Sequence, residues 1–198
     1  FRGYQVDHLD EKGNPVFRDN DKNGVIDASD KAMIGKPMPD FTYGVTLAAN
    51  YKNFDLLVFG NGSVGNDVFM SYSYNHIFYP LKEIYDQRWT PDGSTNRKYA
   101  RPQLTNADKY GLSDAYIFDG SYFRIKQIQL GYTFPKKLIK HALLENVRVY
   151  ASLDNFFLFT KYPGLDPEVS STSTSGMGVD YGNYPTTKKV VFGLSVTF

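Results

Sequence analysis

The sequence predicts an all-β fold in which antiparallel strands of a transmembrane β-barrel alternate with long loops on one side of the membrane. Several segments place apolar residues at every second position, as a strand with one apolar face does. The final segment keeps this pattern up to a closing phenylalanine, Phe198, as outer-membrane barrels do. The connections between the segments alternate between long and short without exception. That fits a barrel with short turns at one rim and long loops at the other, and a β-sandwich has no reason to sort its connections this way.

Residues 1–40 are polar, rich in Gly, Pro and Asp, and without a sustained period, so they read as a long ordered loop. From Phe41 the alternation starts: Phe41, Tyr43, Val45, Leu47 and Ala49 share one face, with Thr42, Gly44, Thr46 and Asn50 on the other. A tight connection at Tyr51-Lys52-Asn53 leads into Phe54, Leu56 and Val58, which makes a hairpin. The stretch 62–120 then lacks alternation and far exceeds an ordinary connection. A strand resumes over 121–134, with Ile128, Leu130, Tyr132 and Phe134 on one face. A turn at 135–146 carries Lys136, Lys137 and Lys140, and a further strand from Val147 sets Val149, Ala151 and Leu153 against Arg148, Ser152 and Asp154. After a Ser-, Thr- and Gly-rich loop at 160–188, the last strand alternates Val190, Phe192, Leu194, Val196 and Phe198 with smaller or polar residues. The division is therefore a loop region, 1–40, and a strand region, 41–198, with long loops at 62–120 and 160–188. The chain is expected to supply five barrel strands with Phe192, Leu194 and Val196 facing lipid.

Composition narrows the function. Aromatic residues make up 16% of the chain, with 16 Tyr and 15 Phe against one Trp, a bias that suits strands and interfaces better than a helical bundle. The formal net charge is +1 with both signs mixed along the chain, so there is no electrostatic footprint for nucleic acid. With no cysteine, disulfide frameworks and thiolate chemistry are excluded. No run of about 18 apolar residues exists to make a membrane helix, but a barrel strand needs only about 9–11 alternating residues. The opening at Phe1, without an initiator Met or leader pattern, reads as a piece of a longer protein. No nucleophile-elbow motif or paired histidine ligands occur, and an enzyme is not expected.

Two groups of residues are candidates for binding. Asp19, Asp21, Asn23, Asp27 and Asp30 occupy the first, third, fifth, ninth and twelfth places of a loop with Gly24 sixth, and Val25 offers its carbonyl from the seventh. That is the oxygen cage of an EF-hand-type calcium loop, although Asp30 is shorter than the usual glutamate and Gly and Pro flank the loop where long helices would stand. A structural Ca²⁺ is the expected cofactor, and no organic one is. The alternative is an Asx-rich loop folded on its own side-chain hydrogen bonds. Tyr72, Tyr74, Phe78, Tyr79, Tyr85 and Trp89 form the second group: Tyr72, Tyr74, Tyr79 and Trp89 are expected contacts for a substrate or lid, against the alternative that the rings pack the loop or the membrane interface.

Several motifs resemble the C-terminal region of the SusC/RagA family of TonB-linked outer-membrane transporters, in the family's order and over essentially the whole chain. They include Gly35-Lys36-Pro37-Met38-Pro39-Asp40-Phe41, Asn53-Phe54-Asp55-Leu56, Gly65-Asn66-Asp67-Val68, Arg88-Trp89-Thr90-Pro91, Asp119-Gly120-Ser121-Tyr122-Phe123-Arg124, Leu130-Gly131-Tyr132, Asp154-Asn155-Phe156-Phe157, Tyr162-Pro163-Gly164 and the closing Phe192-Gly193-Leu194-Ser195-Val196-Thr197-Phe198. The resemblance implies a barrel of about 22 strands, of which this chain would be the last five, in the outer membrane of a Gram-negative bacterium with its C-terminus toward the periplasm. It further implies import of oligosaccharides or oligopeptides, a SusD-like surface lipoprotein as lid, and energy from the TonB complex through a part of the protein outside this sequence. The competing expectation is a soluble, calcium-dependent carbohydrate-binding β-sandwich.

Overall fold

The computed structural model describes residues 1–71, 81–92, 98–102, 107–140, 144–168 and 176–198. The described chain forms two compact units, one from Phe41–Val64, Tyr122–Thr160 and Pro185–Phe198, the other from Phe1–Asp40, Gly65–Ser121 and Lys161–Tyr184. The contact pattern thus cuts across a sequential split at residue 40, because all three long loops contribute to one unit.

Among the described residues twelve strands are formed: β1 Arg2–Gly3, β2 Val6–Leu9, β3 Pro15–Phe17, β4 Ala32–Met33, β5 Phe41–Tyr51, β6 Phe54–Val64, β7 Asp67–Met70, β8 Ile117–Asp119, β9 Tyr122–Thr133, β10 Asn146–Thr160, β11 Val179–Asp180 and β12 Lys189–Thr197. The first unit is one antiparallel sheet in the order β12-β10-β9-β6-β5. These are the five strands expected, and all long connections leave from one end of them. The turn from β5 to β6 is tighter than the sequence indicated: Tyr51 pairs Phe54 across Lys52 and Asn53 alone, and Lys52 takes the left-handed conformation at φ 53° that such a turn demands. Strand β6 also runs on through Val64, three residues into the stretch read as loop.

Register makes the period-two pattern a surface. Leu47, Val58, Ile128, Leu153 and Val190 align across the five strands, and Ala49, Leu56, Leu130, Ala151 and Phe192 form the next row. On the opposite face the matching rows are Thr46, Phe59, Gln127, Asp154 and Lys189, then Asn50, Asp55, Gly131, Tyr150 and Gly193. The apolar face is exposed: Phe192 is 80% exposed and Leu194 66%. A β-sandwich hides its apolar faces between two sheets, so the competing soluble-module expectation fails on this surface.

Two bulges break the period. Lys126 of β9 has no partner on β6, and Asn155-Phe156 of β10, with Asn155 at φ 59°, oppose Lys126 alone. Beyond them parity flips, so that Phe123 and Ile125, which strict alternation would put with Gln127, align instead with Tyr43 and Val45 of the apolar face through Gly62 and Gly60. The flip builds a band of rings: Phe41 stacks on Tyr43 at 5.7 Å, Tyr43 on Phe123 at 5.8 Å and Phe123 on Phe159 at 6.3 Å. Gly62 permits it, since a Cβ there would lie 2.7 Å from the Tyr43 ring. At the other end Phe54 meets Tyr132 at 4.8 Å and Tyr132 meets Phe134 at 5.2 Å, with Tyr51 paired to Phe54.

The second unit has a core of its own. Val68 and Met70 of β7, Ile84 of the short helix Lys82–Asp86, Tyr99, Phe118 of β8 and Tyr162 are buried together, with Leu81 and Tyr116 packed on them. Strand β7 pairs β8 antiparallel and β11 parallel, which ties the loop at 160–188 to the loop at 62–120. Tyr162 donates its hydroxyl hydrogen to buried Asp180 at 2.6 Å, and Asp180 also accepts from the Gly182 N–H at 2.8 Å. Residues 1–40 join through Tyr4, whose N–H donates to the Leu112 carbonyl at 2.9 Å and whose carbonyl accepts from Asp114 at 3.0 Å.

Candidate functional site

The acidic loop folds around Asp30, which is fully buried although it carries a carboxylate. Its two oxygens accept from the backbone N–H groups of Asn20 and Asp27, both at 2.8 Å, and the Asn20 amide donates to its carbonyl at 2.6 Å. Asp27 is the N-cap of the 3₁₀ turn Ala28–Asp30: its carboxylate accepts from the Ser29 N–H at 2.7 Å, completing a capping box with Asp30. The chain can double back here because Lys22, at φ 60°, and Gly24, at φ 82°, both take the left-handed conformation.

This folding gathers Asp19, Asp21 and Asp30, with one carboxylate oxygen of each within 4.8 Å of the others. One Asp19 oxygen accepts from the Gly24 N–H at 2.8 Å, while Oδ1 is enclosed and has no hydrogen-bond partner. Such an acceptor, removed from water without a donor, is costly unless a cation faces it. Asp21 accepts from Asn23, through the backbone N–H at 3.1 Å and the side-chain amide at 2.9 Å. Asn23 in turn accepts from the Val25 N–H at 2.7 Å. The expected ligand set therefore divides: Asp19, Asp21 and Asp30 converge, whereas Asn23 and Asp27 hold backbone N–H groups.

The charges fit that division. Desolvation, followed by the neighbouring Asp30 and Asp19 carboxylates, pushes the Asp21 carboxyl above its ordinary range. Backbone N–H donation, from Asp27 to Asp30 and from Ser29 to Asp27, holds the carboxyls of Asp30 and Asp27 below it. An all-oxygen, anionic donor set with one orphaned acceptor fits a hard divalent cation.

Of the rings proposed as contacts, Tyr72, Tyr74 and Tyr79 lie outside the described residues, as does Phe78. Trp89 is half-buried and lies against the turn at Gly13, where an added Cβ would fall 2.4 Å from its ring. Its backbone N–H donates to the Tyr99 carbonyl at 2.8 Å, and its indole N–H is enclosed without an acceptor. Tyr85 is exposed and carries the Arg88 guanidinium 3.7 Å from its ring centre.

The sequence reading missed a polar-face feature. Arg148 donates from Nε and Nη2 to the two carboxylate oxygens of Asp55, at 2.9 and 2.5 Å. The pair spans β9 over Gly131, where a side chain would collide with it. These residues stand 93 apart in sequence, and no local pattern links them. A cavity at the β9–β10 turn is lined by Lys136, Lys137 and Lys140, which the sequence places on that turn, together with Thr133, Asn146 and Thr197 of the polar face.

Comparison with known proteins supplies the lineage. No family model matches the sequence. TonB-dependent receptor P3 of Formosa agariphila is 33% identical over 204 residues, which covers 95% of this chain and 19% of that protein. TonB-dependent receptor SusC of Bacteroides thetaiotaomicron is 34% identical over 194 residues, 96% of this chain and 18% of that protein. Among solved structures, the RagAB peptide transporter matches with a TM-score of 0.77 at 22% identity, covering all of this chain and 22% of that one, and the 'closed-closed' RagAB peptide importer with 0.75 at 24%. The relatives are named as receptors and transporters, in line with the expectation of a non-enzyme. With its antiparallel strands, exposed apolar face and these relatives, the chain belongs to the SusC/RagA family of TonB-dependent outer-membrane transporters and spans about a fifth of the length of the relatives it matches.

Proposed function

We propose that the chain is the closing part of a barrel that imports an oligomeric nutrient, a glycan or a peptide, by TonB-dependent transport with a SusD-type lipoprotein as lid. The observation that carries this reading is the exposed apolar face between two groups of rings. On β5 the rings Tyr43 and Tyr51 stand eight residues apart, about 27 Å along a strand. At ordinary barrel tilts that is about 21 Å of depth, close to the ~25 Å apolar band of an outer-membrane barrel. The family resemblance implies oligosaccharides or oligopeptides, and one structural neighbour is named a peptide importer, RagAB, so both substrate classes stay in the proposal.

In this reading the short turns, and with them the end of β12, face the periplasm, and the long loops face outward. Strands β5 and β12 are the edges of an open sheet; edges cannot stand in hydrocarbon, so the rest of the barrel must close on them. A Ca²⁺ held by Asp19, Asp21 and Asp30 would neutralise their mutual repulsion and fix the shape of an outward loop, with a structural role and no part in chemistry. The test is deletion of the full-length gene, followed by growth on defined oligosaccharides or oligopeptides and pull-down of the barrel's lipoprotein partner. Loss of growth on one class, restored by the intact gene, is expected; unchanged uptake of every oligomer class would refute the proposal.

A further inference from the structure

We infer that Asn23 is a site of spontaneous deamidation, and that its conversion to aspartate or isoaspartate loosens the acidic loop. The inference concerns the chain's own bonds and stands apart from any cation in the loop. Deamidation needs the backbone nitrogen of the following residue to reach the asparagine side-chain carbonyl carbon, and a following glycine shields that nitrogen least. The sequence holds two Asn-Gly pairs, Asn23-Gly24 and Asn61-Gly62. Their surroundings set them apart. Asn61 and Gly62 lie within β6, between β5 and β9: Asn61 pairs Gly44 and Arg124, and Gly62 pairs Tyr43 and Phe123. The extended backbone is fixed on both sides, and an added Cβ on Gly62 would fall 2.4 Å from the Tyr122 carbonyl oxygen, so the backbone cannot fold back into a ring there.

Asn23 and Gly24, in contrast, are exposed, and nothing lies within 4 Å of the place a Gly24 Cβ would take. The hydrogen bonds around this pair favour the reaction. Asn23 Oδ1 accepts from the Val25 N–H at 2.7 Å, which draws electrons from the carbonyl carbon and stabilises the oxygen as it gains charge. The Gly24 N–H donates to Asp19 Oδ2 at 2.8 Å, which polarises the nitrogen toward attack. In the reaction the Gly24 nitrogen bonds to the Asn23 side-chain carbonyl carbon, the bond from that carbon to Nδ2 breaks, and ammonia leaves with the proton the nitrogen gives up. Water then opens the cyclic imide at either carbonyl, giving aspartate or isoaspartate with no change of oxidation state. The product fits the loop less well. Asn23 donates an amide hydrogen to Asp21 at 2.9 Å; a carboxylate in its place has no hydrogen to give and sets one negative charge against another. Isoaspartate also adds a carbon to the backbone between Lys22 at φ 60° and Gly24 at φ 82°, the two left-handed positions on which the reversal of the chain depends.

The experiment uses the full-length transporter in detergent with chelator, incubated in warm, mildly alkaline buffer. Peptide mapping by mass spectrometry reads a gain of about one dalton at each asparagine, and isoaspartyl methyltransferase labels the isoaspartate. A sample unfolded in guanidinium runs in parallel, and there both Asn-Gly pairs should react alike. In the native protein Asn23 should react at least about tenfold faster than Asn61, since held geometry governs an intramolecular attack. Equal rates at the two positions in the native protein, or no gain at Asn23 while the unfolded sample reacts, overturn the inference. Protease cleavage within the loop tests the consequence. Wild type should lose resistance as the incubation proceeds and Asn23→Gln, which closes a larger ring more slowly, should lose none, whereas Asn23→Asp should be cleaved faster than wild type from the start. Equal decay of wild type and Asn23→Gln, or equal cleavage of Asn23→Asp and fresh wild type, overturns the loosening.

Discussion

The two units use apolar residues in opposite ways. In the five-stranded sheet, Leu47, Leu130, Phe192 and Leu194 point away from the protein and remain exposed, and the sheet is held by its hydrogen-bond ladders and by polar contacts such as Arg148 with Asp55. In the loop unit, Val68, Met70, Phe118 and Tyr162 point inward and exclude water as a soluble core does. In the proposed barrel a single chain thus obeys two solvents: lipid covers what the sheet exposes, while the loops must bury their own apolar surface. Mutations in the two units should therefore have unequal effects.

Met70 is fully buried in the loop core, so Met70→Ala should cost about 2–5 kcal/mol there. In the full-length transporter this should appear as protease cleavage within the loops while heat-modifiable barrel mobility stays intact; simultaneous loss of both would show that the units do not fold separately. Ile128 lies midway along β9 on the apolar face, beside Gln129 on the polar one. Ile128→Arg should cost about 2–4 kcal/mol in a bilayer and Gln129→Arg far less, measured by denaturant unfolding in lipid vesicles. Equal penalties would break the assignment of faces.

The Arg148–Asp55 pair is bidentate and partly shielded, with both side chains less than a third exposed. Asp55→Ala should cost about 1.5–3 kcal/mol, as loss of a charged hydrogen bond does; a double-mutant cycle with Arg148→Ala checks it, and zero coupling would reduce the pair to a surface contact.

The smallest effect concerns the acidic loop and has a sign that can be worked out. Asp30 and Asp27 are held below the ordinary carboxylate range, so the stability they contribute is present above that range and is lost as pH falls through their lowered values. Asp21 is raised, so it protonates first on acidification, which relieves repulsion in the metal-free loop but removes a ligand. Calcium protection of the loop against protease should therefore fade at a higher pH than the loop's own fold. Asp19→Asn should abolish the calcium effect and leave the metal-free loop little changed; indifference of wild type to chelator at neutral pH would count against a structural ion.

Strands and their faces were legible wherever the period of two ran unbroken, as at Phe41–Tyr51 and Lys189–Thr197, because alternation of side chains is a local property of extended backbone. The acidic loop was legible too, since its spacing lies within twelve consecutive residues, although which oxygens converge depended on Asp27 being drawn off as a helix cap. The rest is set by contacts between distant segments. The bulge at Lys126 turned Phe123 and Ile125 onto the apolar face, beside Phe157 and Phe159, and a bulge depends on the partner strand more than on the strand's own sequence. The pairing of β7 with β11, the Arg148–Asp55 bridge and the lysine-lined cavity join residues separated by turns or whole loops. No window of sequence contains both partners of such contacts, so the long loops could be read as loops but not as a folded unit with its own core.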